Sequence, residues 1–159
     1  MIKIGIDVGS TTAKLVAVDE NDNLLFSKYE RHNAKAKETI LSFLKELLSE
    51  IGDKDISVRI TGSIGMGISE KCSLPFVQEV VAAAKAIQKD YSHVTSMIDI
   101  GGEDAKVVFF NDAEATDLRM NGNCAGGTGA FIDQMAIILG VNIDELNQLA
   151  MNATQVYPI

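Results

Sequence analysis

The sequence predicts an α/β fold with one complete lobe of element order βββαβα, followed by the start of a second lobe of the same kind. Short strand patterns alternate with amphipathic helical patterns along the chain. In addition, the segment Asp7-Val-Gly-Ser-Thr-Thr-Ala-Lys14 is echoed about ninety residues later by Asp99-Ile-Gly-Gly-Glu-Asp-Ala-Lys106. We therefore place the first lobe at residues 1–94 and the incomplete second lobe at residues 95–159.

The first lobe opens with three strand patterns that predict an antiparallel meander. An amphipathic helix follows, and its crossover returns a fourth strand to the sheet before an Ala-rich helix. The predicted strands are 2–8, 13–19, 24–30 and 56–61, and the predicted helices are 35–51 and 77–91. The apolar face of the first helix comprises Ile40, Leu44, Leu47, Leu48 and Ile51. The loop Thr61-Gly-Ser-Ile-Gly-Met-Gly67 lacks the Gly-Lys-Ser/Thr ending of a P-loop and predicts a turn.

The pattern then restarts. Strands are predicted at 95–100, 105–110 and 113–119, and helices at about 126–139 and at 143–151. Asn142 and Glu145 have the spacing of a capping box at the start of the last helix. Because no further strand or helix pattern closes this lobe, we expect the sequence to be a fragment of a longer protein.

Composition narrows the class of protein. The net charge of −8 argues against nonspecific nucleic-acid binding, which requires a basic surface. The chain has no apolar run of about 18–20 residues, the length that spans a bilayer, and its first residues enter a strand without a secretory signal pattern. The two cysteines, Cys72 and Cys124, form no disulfide framework. We expect a cytoplasmic protein that binds neither nucleic acid nor membranes.

Each repeated segment places a carboxylate at a strand end, then small residues, then a lysine. Glycine lets the backbone approach an anion closely, and hydroxyl and turn N–H groups can bind phosphate oxygens. A carboxylate can hold Mg²⁺ or orient a water molecule. One such segment alone would be compatible with a plain hairpin turn. Two copies predict a nucleotide phosphate clamped between two related lobes.

These hairpins resemble the phosphate motifs of the actin, sugar kinase and Hsp70 ATPase superfamily, whose lobes are ribonuclease H-like. The stretch Met120-Asn-Gly-Asn-Cys-Ala-Gly-Gly-Thr-Gly-Ala-Phe-Ile-Asp-Gln134 narrows the resemblance to activators of 2-hydroxyacyl-CoA dehydratases and the related benzoyl-CoA reductase ATPase subunits. The sequence of these motifs is most similar to the activase domains of large fused activators. The resemblance covers the whole chain.

The resemblance implies an ATPase of anaerobic metabolism that drives a low-potential electron from a [4Fe-4S] cluster to a 2-hydroxyacyl-CoA dehydratase. It also implies a homodimer with the cluster between its subunits, and an electron donor such as ferredoxin or flavodoxin. The segment that binds adenosine would lie beyond residue 159. We therefore expect residues 1–159 on their own to bind ATP weakly and to be inactive.

By this resemblance, Asp7 and Asp99 would lie near Mg²⁺ and the attacking water. Glu103, which stands where many small activators carry Gln, would orient that water. ATP or ADP would be bound by residues of both hairpins and of the glycine-rich segment that follows them. These residues are Gly9, Ser10, Thr11, Thr12, Lys14, Gly101, Gly102, Gly126, Gly127 and Thr128.

Cys124 admits two interpretations. An isolated cysteine usually behaves as a small hydrophobic residue. Here, however, it precedes a glycine-rich segment and then a helix, and the positive end of a helix dipole favours an anionic sulfur. By resemblance, Cys124 is a ligand of the [4Fe-4S] cluster. Such clusters usually take four thiolates. By resemblance, two chains would supply them, each with Cys124 and the family's second cysteine about forty residues further on.

Two other classes of function stay open. A carbohydrate or small-acid kinase of the same fold would transfer phosphate to a hydroxyl, but no substrate-side base is recognisable and Cys124 would be unexplained. The other class is a non-catalytic module that senses nucleotide. His32 and His93 are isolated, without ligand spacing, and are predicted to be solvated.

Overall fold

The structure is a computed structural model that describes residues 1–111, 114–121 and 128–157. Within these ranges the strands are β1 (Ile2–Val8), β2 (Thr12–Val18), β3 (Leu24–Arg31), β4 (Ile56–Thr61), β5 (Ser96–Ile100), β6 (Ala105–Asn111) and β7 (Glu114–Met120). The helices are α1 (Ala36–Ile51), α2 (Gly65–Cys72), α3 (Glu79–Asp90), α4 (Gly129–Leu139) and α5 (Ile143–Met151). The chain divides into two compact units, the first formed by Met1–Thr95 with Phe110–Thr116 and the second by Ser96–Phe109 with Asp117–Ile159.

The first unit contains a four-stranded sheet with the order β3-β2-β1-β4. Strands β1 and β2 are antiparallel, as are β2 and β3, whereas β4 runs parallel to β1. A parallel neighbour requires a crossover connection, and α1 supplies it. This is the predicted meander with its fourth strand.

The core of the first unit lies on one face of this sheet. Along β1, burial alternates, so Ile4 and Ile6 are buried whereas Asp7 lies on the opposite face. Helix α1 packs against the buried face. Phe43, which is 1% exposed, belongs to the core, whereas Leu48 is 57% exposed, so its predicted place on the buried face is wrong. Leu48 is one residue beyond Leu47, and that step turns it about 100° away from the sheet.

The segment after β4 is a correction to the predicted turn at 61–67, because α2 begins inside it at Gly65. Gly62 has φ +91°, and a Cβ built on it would lie 2.4 Å from the carbonyl oxygen of Val8. The Ile64 N–H donates to that same oxygen at 3.0 Å. Gly62 therefore serves close packing against the end of β1, and the short helix α2 follows.

The second unit contains the antiparallel pair β5–β6, in a three-stranded sheet with the order β5-β6-β7. Helix α5 has the predicted capping box, because Asn142 Oδ1 accepts from the Glu145 N–H at 2.9 Å and Glu145 Oε2 accepts from the Asn142 N–H at 2.8 Å. Helix α4 begins at Gly129 in the described part of the chain.

Asp22, in the β2–β3 turn, ties the end of α3 to the sheet. Its carboxylate accepts hydrogen bonds from Lys3 Nζ at 2.9 Å and from Lys89 Nζ at 2.5 Å. The bonds from Lys89 and Lys3 lower the pKa of Asp22 from its usual value of 3.8 to about 2. The two cations thus stabilise the charged form of this exposed side chain.

We expect the Asp22→Asn variant to lose less stability in acid than the wild type. A carboxyl whose pKa is lowered on folding contributes stability that is full above pH 3.8 and is lost as the pH falls towards about 2. Asn also tolerates the positive φ of 63° at this position. Urea unfolding between pH 5 and pH 2 measures the effect, which is small because the pair is exposed. Equal pH slopes in both proteins would contradict a role for this tether.

Candidate functional site

The β1–β2 hairpin pairs a carboxylate with an ammonium at the end of the strand. Asp7 and Lys14 are direct partners in the β1–β2 register. Lys14 Nζ lies 2.8 Å from Asp7 Oδ2. The turn between them is closed by a hydrogen bond of 3.0 Å from the Gly9 N–H to the Thr12 carbonyl oxygen.

The β5–β6 hairpin repeats this geometry. Asp99 and Lys106 are direct partners in register, and the Gly101 N–H closes the turn by donating to the Asp104 carbonyl oxygen at 2.8 Å. Lys106 Nζ lies 3.8 Å from Asp99 Oδ2 and 2.9 Å from Asp104 Oδ2. The repeat in the sequence is therefore a repeat of strand register and turn closure.

The two turns differ in the chemistry they present. The first carries the hydroxyls of Ser10 and Thr11, whereas the second carries the carboxylates of Glu103 and Asp104. The side chain of Lys14 is 45% exposed, but that of Lys106 is only 7% exposed. Hydroxyl donors beside an accessible ammonium suit a phosphate, whereas carboxylates suit a divalent cation or a water molecule.

Asp7 has a carboxylate oxygen that takes part in no hydrogen bond among the described residues. Asp7 Oδ1 is buried and has no hydrogen-bond partner among the described residues, and the same holds for Thr61 Oγ1. Thr61 is the direct partner of Asp7 in the β1–β4 register. Buried polar atoms are normally hydrogen-bonded, so this pair of oxygens fits a cation with its bound water. A Cβ on Gly62 would lie 2.6 Å from Asp7 Oδ1, so only glycine leaves this space open.

A cavity of about 290 Å³ lies beside this hairpin, within the first unit. Its polar lining comes from Asp7, Lys14, Arg59 and Thr61, and the remaining lining residues are Gly5, Ile6, Val16, Ile60, Val77 and Ala82. The volume is enough for part of a small ligand. The wall of the cavity is therefore mostly apolar, but it also carries positively and negatively charged side chains.

Lys14 is held in its charged form. Burial lowers the pKa of Lys14, but the hydrogen bond to Asp7 and the nearby negative charge raise it, and the net result is a pKa above the ordinary 10.5. The ammonium also lies 5.5 Å from the centroid of the Tyr29 ring, at cation–π distance. Lys14 therefore carries a full positive charge at neutral pH, partly offset by Asp7.

The second turn is bonded to the N-terminus of α4. The Gly129 N–H donates to the Gly101 carbonyl oxygen at 2.8 Å, and the Ala130 N–H donates to the Gly102 carbonyl oxygen at 3.0 Å. A Cβ on Gly129 would lie 2.9 Å from the Gly101 oxygen, so glycine permits this contact. Thr128 is fully buried at the N-cap, and its Oγ1 has no partner among the described residues.

Several predicted site residues lie outside the described residues, namely Cys124, Gly126 and Gly127, and their roles stay predictions. Among the residues that the structure describes, no group of three or more His, Cys, Asp or Glu side chains is placed to hold a metal ion. The predicted joint Mg²⁺ site of Asp7 and Asp99 thus stays a prediction as well. None of the helices in the described ranges is long and apolar enough to cross a membrane.

His32 is the residue that sequence reasoning missed. It was predicted to be solvated, but it is only 4% exposed. Its Nε2 lies 3.0 Å from the Gly9 carbonyl oxygen, and its backbone N–H donates to the Thr11 carbonyl oxygen at 3.2 Å. Its partners are backbone atoms, which every residue type has. The amino-acid sequence therefore gave no signal for these contacts. His93, in contrast, is exposed as predicted.

This chain matches a known protein family and solved structures that have the predicted fold. The model of the BadF/BadG/BcrA/BcrD ATPase family matches residues 4–158. The crystal structure of component A of the (R)-2-hydroxyglutaryl-CoA dehydratase of Acidaminococcus fermentans matches with a TM-score of 0.85 and 28% identity, over 100% of this chain and 62% of that chain. The activator of the 2-hydroxyisocaproyl-CoA dehydratase of Clostridium difficile, solved with bound ADPNP, matches with a TM-score of 0.84 and 29% identity, over 100% of this chain and 60% of that chain. The predicted actin-like α/β ATPase fold is confirmed.

Two curated relatives that are named as activators of dehydratases also match this chain. The (R)-2-hydroxyglutaryl-CoA dehydratase activating ATPase of Acidaminococcus fermentans is 28% identical over 154 residues, which are 96% of this chain and 59% of the relative. The activator of lactoyl-CoA dehydratase of Anaerotignum propionicum is 29% identical over 161 residues, covering 100% of this chain and 62% of the relative. The chain thus spans about 60% of the length of these relatives.

Proposed function

We propose, from the fact that this chain belongs to the BadF/BadG/BcrA/BcrD ATPase family, that it is the phosphate-binding part of an ATP-dependent activator of a 2-hydroxyacyl-CoA dehydratase. The observation that carries the proposal is the repeated hairpin, with the pairs Asp7–Lys14 and Asp99–Lys106 in equivalent registers. Relatives named as dehydratase activators, and the ADPNP in one matched structure, support it. On this proposal, residues 1–94 and 95–159 are the first lobe and the start of the second.

In this proposal the first hairpin binds the phosphates. Gly9 allows close approach of the chain, Ser10, Thr11 and Thr12 donate hydrogen bonds to phosphate oxygens, and Lys14 supplies positive charge. Lys14 is suited to this role because it is protonated and almost half exposed. Its bond to Asp7 also fixes its direction, so little side-chain freedom is lost when a phosphate binds.

In this proposal, the carboxylates bind the metal ion and orient the attacking water. Asp7 Oδ1, buried without a partner among the described residues, would accept a hydrogen bond from a metal-bound water. Asp99 is held only loosely by Lys106, at 3.8 Å, because that lysine bonds Asp104 at 2.9 Å. In this proposal, Asp99 would therefore be the carboxylate that binds Mg²⁺. Glu103, in the second turn beside Gly101 and Gly102, would orient the water that attacks the γ-phosphate.

Electron transfer completes the proposed function. Cys124 would contribute one thiolate to a [4Fe-4S] cluster, which when bound supplies a low-potential one-electron carrier. Because one Cys124 per chain cannot provide four thiolates, the proposal includes a homodimer and a further cysteine from each chain. The donor would be a ferredoxin or flavodoxin and the acceptor the dehydratase, all in the cytoplasm. The bonds from Gly129 and Ala130 to the second turn would link nucleotide state to the segment that carries Cys124.

Nucleotide binding by the Lys14→Met variant tests the phosphate role. In the protein at its full natural length, we expect the Kd for ADPNP to rise about 10- to 100-fold, because a hydrogen bond to a charged group contributes about 1.5–3 kcal/mol. Lys54→Met, at an exposed position, is the matched control and should leave the Kd unchanged. An unchanged Kd for Lys14→Met would remove the first hairpin from the phosphate site.

The Cys124→Ser variant tests the cluster role separately. Anaerobically purified protein of full natural length should lose most of its iron and sulfide, while its nucleotide affinity stays within about twofold of the wild type. Cys72→Ser provides the control, since Cys72 is exposed at the end of α2, and it should retain the iron. Full iron content in Cys124→Ser would contradict its assignment as a ligand. Loss of nucleotide binding together with iron would instead indicate a role in folding.

A further inference from the structure

A buried histidine contacts the turn between β1 and β2, to which the proposed function assigns the phosphate. His32 directly follows β3 and is 4% exposed. Two of its groups reach the turn between β1 and β2. The ring Nε2 lies 3.0 Å from the Gly9 carbonyl oxygen, and the backbone N–H donates to the Thr11 carbonyl oxygen at 3.2 Å. The proposed chemistry uses neither group directly.

The contact with Gly9 fixes the tautomer of the ring. A carbonyl oxygen can only accept a hydrogen bond, so Nε2 must carry the hydrogen and donate it. The other ring nitrogen, Nδ1, is buried and has no partner among the described residues. In the neutral ring this nitrogen is the one with the lone pair. The ring is thus a directional donor aimed at one backbone oxygen.

Because a peptide unit is planar, the two hydrogen bonds from His32 also orient the N–H groups of the turn. In a planar trans peptide, the C=O and the N–H of the same unit point in opposite directions. The Gly9 and Thr11 oxygens both point to His32. The N–H groups of Ser10 and Thr12, which belong to the same two peptide units, therefore point away from His32. Ser10 and Thr12 are two of the residues that the proposed function assigns to phosphate, and turn N–H groups can bind phosphate oxygens.

The second hairpin uses a different donor for the same purpose. Gly101 occupies the position equivalent to Gly9, because each glycine closes its turn. The Gly101 carbonyl oxygen accepts from the Gly129 N–H at 2.8 Å. In both turns, therefore, a donor from outside the hairpin holds the carbonyl of the turn-closing glycine. A helix N-terminus does this in one case and a histidine side chain does it in the other.

We propose that His32 is a positioning residue that holds the Gly9–Thr12 turn with its N–H groups directed at the nucleotide phosphate. The inference rests on the proposed function, since that function puts the phosphate at this turn. His32 itself does not touch the nucleotide. Without the ring donor, the Gly9 oxygen would lose its partner, and the Gly9–Ser10 peptide would be free to rotate to find another.

Three variants of the protein at full natural length test this role. His32→Phe keeps a ring of similar size but removes the donor, whereas His32→Gln can place an amide N–H near the position of Nε2. His93→Phe is the control at an exposed histidine. We expect the Kd for ADPNP to rise about tenfold in His32→Phe, to return to within about threefold of the wild type in His32→Gln, and to stay unchanged in His93→Phe.

An unchanged Kd in a folded His32→Phe, or equal weakening in His32→Phe and His32→Gln, would overturn the positioning role. If His32→Phe fails to fold, the ¹⁵N spectrum of the wild-type imidazoles decides, because the proposal requires the Nε2–H tautomer at His32 and an Nδ1–H tautomer would contradict it. Failure of the proposed function is a distinct result: the wild type itself would then show no binding of ADPNP.

Discussion

Replacing Asp7 by alanine in the protein at full natural length is expected to lower ATP hydrolysis by about a hundredfold or more, through loss of metal and water positioning. Asp7 carries the buried Oδ1 that has no partner among the described residues, and it also holds Lys14 in place at 2.8 Å. Asp99→Ala should have an effect of the same order, because Asp99 occupies the equivalent register position.

Matched variants separate this effect from a change in folding. Asp7→Asn keeps the shape of the side chain and loses its charge, so it should be nearly as inactive as Asp7→Ala while unfolding at a similar urea concentration. Asp53→Ala removes an exposed carboxylate from the same unit and should be fully active. A steady-state rate within about threefold of the wild type in Asp7→Ala or in Asp99→Ala would contradict the shared catalytic role.

Gly62→Ala is expected to destabilise the first unit by about 3–5 kcal/mol, which combines overpacking with backbone strain. At this position φ is +91°, and a Cβ would lie 2.4 Å from the Val8 oxygen and 2.6 Å from Asp7 Oδ1. Neither the Val8 oxygen nor the Asp7 carboxylate can move away without disturbing the end of β1. Urea unfolding of the chain measures the loss.

Gly52→Ala provides the control for this substitution. Gly52 also has a positive φ, of 64°, but a Cβ there would meet nothing within 4 Å. The loss of stability in Gly52→Ala should therefore be limited to backbone strain, about 1–3 kcal/mol. Equal losses in the two variants would show that the approach of Gly62 to β1 is not tight.

The sheet of the first unit and both hairpins could be predicted from the sequence, because local patterns encode them. Alternating apolar residues set the face of β1, and the spacing from Asp7 to Lys14 sets the hairpin register. The same spacing from Asp99 to Lys106 made the repeat visible. Such features depend on residues that are neighbours in the chain.

Features that depend on tertiary contacts were not predictable. The glycines of Thr61–Gly67 indicated a turn, yet α2 begins at Gly65 because the segment packs against the end of β1. His32 was expected in solvent, but its ring reaches a backbone oxygen 23 residues away in the sequence. The Asp7 oxygen, which has no partner among the described residues, likewise depends on where β4 lies.

ATP-dependent electron transfer to a 2-hydroxyacyl-CoA dehydratase tests the central claim most directly. The protein would be purified anaerobically at its full natural length and mixed with a reduced ferredoxin or flavodoxin and the dehydratase. The account predicts a brown protein with about one four-iron cluster per two chains, which activates the dehydratase with ATP and fails to do so with ADPNP. A colourless protein that transfers the γ-phosphate to a small hydroxyl compound, without activating the dehydratase, would contradict it.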